Sequence, residues 1–123
     1  MLKIRQEQID ALVAVRWEAF FIRVCKHVRK AFPEVARQLG DAGLRPVFDS
    51  VVRRSHAFEL RTERQIVCMM DATILLGDQF EDHPRYQWAR DVLTSPYLVA
   101  DDRAKLVLVT ATRISNPDGL GRV

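Results

Sequence analysis

The stretch LLGDQFEDHPRYQW, residues 75–88, gathers three carboxylates (Asp78, Glu81 and Asp82), His83 and three aromatics. Carboxylates beside an imidazole are raw material for a cation site or for acid–base catalysis. An EF-hand loop, however, alternates oxygen ligands around a central glycine and closes on a bidentate glutamate. That spacing is absent. Zinc needs a full tetrahedral set, and no second histidine lies nearby in sequence. Caps and turns use the same residue types. Gly77 can end one helix, Asp82 or His83 can cap the next, and Pro84 can begin it.

No other chemistry-bearing group is better placed. The three histidines, His27, His56 and His83, stand on separate elements. Cys25 lies two positions from His27, and helical residues two apart point away from each other. Cys25 and Cys68 are too far apart in sequence for a zinc or redox motif. Both sit in apolar helical patterns, as reduced core thiols do. Ser50, Ser55, Ser95 and Ser115 have no nucleophile context, and no HExxH, GxSxG, GxGxxG or P-loop motif occurs. The reading is therefore of a non-enzyme with no catalytic residue, no metal and no cofactor.

The elements that must position these residues are helices. At 123 residues, 48% hydrophobic and 28% charged, the chain suits one globular domain rather than a disordered segment. Gly and Pro are scarce, which favours long helices over a many-turned β fold. Ile9, Val13, Trp17, Phe20, Val24, Val28 and Ala31 recur at helical spacing, so residues 5–31 form one long helix. Its apolar arc also takes in Phe21, Ile22 and Cys25, which fits either a deep core or a homodimer seam. Pro33 opens a short helix over 33–39 and Gly40 stops it. DAGLRP reads as a turn, and a third helix runs from 44 to about 57. Thr62 with Gln65 forms a capping box for a helix over 63–76, which buries Ile66, Met69, Met70, Thr73 and Ile74. A fifth helix follows from Pro84 to about Thr94. The last segment, 102–114, is rich in β-branched residues, but a lone strand would have no partner, so helix is preferred. The expected fold is an all-α bundle of five to six helices over 1–114, with the first, third and fourth forming most of the core. Residues 115–123 form a flexible tail.

Charge is uneven. Residues 1–64 carry 13 Lys/Arg and 8 Asp/Glu, for +5, and residues 65–123 carry 6 and 8, for −2. Arg16, Arg23, Lys26, His27 and Lys30, with Arg53, Arg54, Arg61 and Arg64, form a basic set able to meet phosphates. Interleaved acids and the lack of stacking aromatics weaken that reading. No apolar run is long enough to span a membrane, and the N-terminus lacks a secretory signal pattern. A cytoplasmic location is expected, with no membrane partner.

Three segments, LKIRQEQIDAL, FPEVARQLGDAGL and TERQIVCMMDATILLGDQFEDHPRYQWARDVL, resemble a group of small helical accessory proteins encoded beside type VI secretion spike and effector genes. The resemblance spans roughly residues 2–114. It rests on Phe32, Pro33, Leu39, Gly40, Thr62, Leu76, Gly77, Phe80, Pro84, Trp88, Ala89 and Leu93. Cys68 departs from the pattern. The resemblance implies a chaperone or adaptor that binds a secreted effector or spike component. Two other readings are an immunity protein that blocks a toxin through Asp78, Glu81 and Asp82, and a nucleic-acid-binding regulator. A partner surface is expected at Phe80, Glu81, Asp82, Tyr86 and Trp88, because large aromatics dominate interfaces.

Overall fold

The computed structural model describes residues 5–115. The fold is all-α: among the described residues there are five α-helices, two 3₁₀ turns and no strand. The helices are α1 (Gln6–Ala31), α2 (Pro33–Ala57), α3 (Glu63–Leu76), α4 (Gln87–Leu93) and α5 (Ala100–Ser115). The 3₁₀ turns are Phe80–Asp82 and Pro84–Tyr86. Among the described residues no helix is long and apolar enough to cross a membrane. The chain divides into two compact units between Arg45 and Pro46.

In the first unit, α1 starts where Gln8 Oε1 accepts from the Arg5 N–H (2.9 Å). Its second half supplies the buried Phe20, Phe21, Val24, Cys25 and Val28. The expected apolar face does not stay inside over its full length. Ile9 and Val13 are exposed, Ala31 is at the surface, and Trp17 is half-buried. Two ion pairs brace this unit: Arg29 to Asp41 (2.7 Å) and Arg45 to Glu18 (2.7 Å). Arg45 also lies over the Phe21 ring at 4.7 Å.

α2 corrects the reading of residues 33–57. Gly40 does break the helix, at φ +65° and ψ 176°, a conformation that suits glycine. The helix then resumes at once, so DAGLRP is helical rather than a turn. Pro46 lies inside it, where it removes one backbone hydrogen bond.

The second unit is built around α3 and α5, which pack along each other. The expected capping box is present. Thr62 Oγ1 accepts from the Gln65 N–H (3.1 Å), and Gln65 Oε1 accepts from the Thr62 N–H (3.2 Å). Gln65 also donates to Asp101 Oδ1 (3.0 Å), tying the starts of α3 and α5 together. Ile66, Met69, Met70 and Thr73 are buried as expected, with Ile74 half-buried. α5 contributes Ala104, Val107 and Ala111 to the same interior. Segment 102–114 is thus helical, and it is more central than its sequence indicated. The expected tail, 115–123, lies outside the described residues apart from Ser115, the last residue of α5.

Candidate functional site

The corner after α3 begins at Gly77, whose φ of +110° turns the chain out of the helix. Gln79 follows in the left-handed region at φ +57°, and Phe80 then enters the interior with 1% exposure. The α-helix expected from Pro84 does not start there. Pro84–Tyr86 forms a 3₁₀ turn, capped by His83 Nδ1 accepting from the Arg85 N–H (3.1 Å), and α4 begins only at Gln87.

The carboxylates of this corner meet arginines. Arg54, on α2, is buried, and all five of its guanidinium N–H groups find acceptors. Nε and Nη2 donate to the two oxygens of Glu81 (2.8 and 2.9 Å). Nη1 donates to Asp78 Oδ1 (2.9 Å) and Ser50 Oγ (3.2 Å). Nη2 also donates to Thr73 Oγ1 (3.1 Å). The guanidinium lies 5.6 Å from the Phe80 ring centroid. Ser50 Oγ donates in turn to Asp78 Oδ1 (2.9 Å). Such a fork-on-fork pair offsets its desolvation only because every donor is used. Sequence reading placed Arg54 among a basic surface set. Its i+4 spacing from Ser50 was visible, but its distant acidic partners were not.

Asp82 pairs with Arg90, whose Nε donates to the Glu81 carbonyl (3.2 Å). Tyr86 and Trp88 are half-buried and meet edge-on at 6.5 Å. Of the five expected partner-binding residues, Phe80 and Glu81 are therefore interior. Asp82, Tyr86 and Trp88 retain surface. Among the described residues no three His, Cys, Asp or Glu side chains come together to hold a metal.

The thiols are held in their neutral form. Burial pushes Cys25 up to about 11, reinforced by the Asp41 carboxylate, which accepts its S–H, while Arg29 and Arg45 pull the other way. Burial also raises Cys68, with Asp71 and Asp101 adding to it. Neither carries the thiolate a nucleophile requires at neutral pH.

The unexpected feature is apolar surface. Tyr97 is 93% exposed and Val99 66% exposed, just ahead of α5. Leu106 and Val109 stand on the outer side of α5, and with Leu98, Asp102 and Lys105 they line a shallow groove of about 360 Å³. The unbroken run LVLV at 106–109 was the available signal: four consecutive apolar residues cannot all face one side of a helix. On α1, Leu12 and Val15 are 61% and 66% exposed. No protein-family model, curated protein or solved structure matches the chain.

Proposed function

We propose that this chain is a non-enzymatic protein-binding accessory, a chaperone or adaptor for a type VI secretion effector or spike component. The observation that carries the binding role is the apolar group at the start and outer side of α5: Tyr97, Val99, Leu106 and Val109. Scattered apolar residues are normal on a surface. An aromatic this exposed, next to an apolar groove, is the composition of an interface. The link to type VI secretion is supported by the resemblance of residues 2–114 alone. In this reading the protein works in the cytoplasm, where its two buried cysteines stay reduced.

The corner geometry weighs against the immunity reading. An acidic face needs unpaired carboxylates, whereas Asp78 and Glu81 are bound by Arg54 and Asp82 by Arg90. The test is capture of partners by the tagged chain from its native host at low and high salt, read by mass spectrometry. Recovery of a secreted effector or spike protein at both salts supports the proposal, because apolar docking survives screening. Recovery of nucleic acid at low salt alone contradicts it.

A further inference from the structure

The outward face of α1 carries a second pattern. Ile9, Leu12, Arg16, Ala19, Arg23, Lys26 and Lys30 follow one another at alternating spacings of three and four. That spacing lines them up as one seam along the helix. The side chains buried from α1, such as Phe20, Val24 and Val28, stand on other rows. Every member of the outward row is exposed except the half-buried Ala19. Arg16, Lys26 and Lys30 make no ion pair with any described residue. The seam is therefore apolar over its first turns and cationic over the rest, for ~32 Å at ~1.5 Å per residue.

We infer that this face docks an amphipathic helix of a partner protein, one that presents apolar residues opposite Ile9 and Leu12 and carboxylates opposite Arg16, Lys26 and Lys30. The inference rests on the protein-binding reading above and names the partner's chemistry at a separate surface. Charge selects this occupant. On the row, Arg16, Lys26 and Lys30 are three cations with no ion pair to any described residue and no acid stands among them, so that half demands acid. A second copy of α1 offers too little: its acids are Glu7, Asp10 and Glu18, and Glu18 is already paired with Arg45. An anionic lipid surface suits the basic half, but the apolar half that would insert, residues 5–15, holds one Arg against Glu7 and Asp10, a net −1.

The test uses the full chain and a labelled synthetic helix of about 22 residues, matched to the seam at ~1.5 Å per residue. The helix carries leucines at its first facing positions and glutamates at the others. Fluorescence anisotropy should show saturable binding that weakens with salt. Lys26→Glu with Lys30→Glu should weaken it roughly tenfold or more. Leu12→Asp should weaken it too, and Tyr97→Ala should leave it unchanged. Circular dichroism confirms that each variant stays helical, and Lys26→Glu alone gives a milder check. Equal binding of a scrambled peptide, or none of either, overturns the inference. So does preferential binding to phosphatidylserine vesicles or to duplex DNA, or a Leu12→Asp-sensitive dimer in sedimentation. If the peptide fails while a host protein is still captured through Tyr97 and Leu106, only this inference falls and the accessory role stands.

Discussion

The corner at 77–88 and the first half of α1 exchange the roles their sequences advertise. The corner is polar, acidic and histidine-bearing, yet its carboxylates are consumed in holding the chain together. The start of α1 has the apolar periodicity of a core helix, yet Ile9, Leu12, Val13 and Val15 face solvent. Side-chain type tells what a residue can do. Whether it is free to do it depends on partners brought from far away in sequence. Glu81 is tied to Arg54, 27 positions back.

The comparison breaks most visibly at Glu81. Glu81→Ala leaves the Arg54 guanidinium buried without its bidentate partner, and urea unfolding should show a loss of about 3–5 kcal/mol. A loss below ~1 kcal/mol would mean that the corner does not depend on this pair. Thr62→Ala removes the oxygen that caps α3 and should cost about 1 kcal/mol in the same assay. At the other extreme, Leu12→Gln and Tyr97→Ala should each change stability by less than ~0.5 kcal/mol, since neither is buried.

Alkaline titration sharpens the account of α1's inner half. The Cys25 thiol is raised from 9.0 to about 11. Between those values the native chain keeps a proton that the unfolded chain has released. Stability from this group is therefore full below pH 9 and falls as pH rises through the window. Cys25→Ala should flatten that part of the stability–pH curve relative to the parent chain. An unchanged slope would mean that Cys25 is not held in its neutral form.

Much of the fold was legible because it is local. The Thr62–Gln65 capping box fixed the start of α3, and Gly77 fixed its end. Gly40 marked a true break in α2. Segment 102–114 was readable as a helix despite its β-branched run only because a lone strand would have had no partner. The misreadings came from what local patterns omit. Asp41 through Arg45 contain nothing that forbids a helix, so the chain resumed one directly after Gly40. Pro84 satisfies a 3₁₀ turn as readily as a first α-turn, and His83 caps that turn. The candidate site was the least legible part. Phe80 and Glu81 are interior, and the partner that holds Glu81 there, Arg54, is too far back in the chain for a local pattern to mark it. Tyr97 and Val99 flank a turn with no periodicity to mark them, and their exposure is a tertiary fact.

The most direct test sets the two surfaces of the second unit against each other. Partner capture from the native host is repeated with Tyr97→Ala/Leu106→Asp and, separately, with Tyr86→Ala/Trp88→Ala, each checked for an intact melting transition. The account predicts that the first pair loses the captured effector or spike protein while remaining folded. Retention by that pair, with loss by the folded Tyr86→Ala/Trp88→Ala variant, would return the binding surface to the corner and contradict the account.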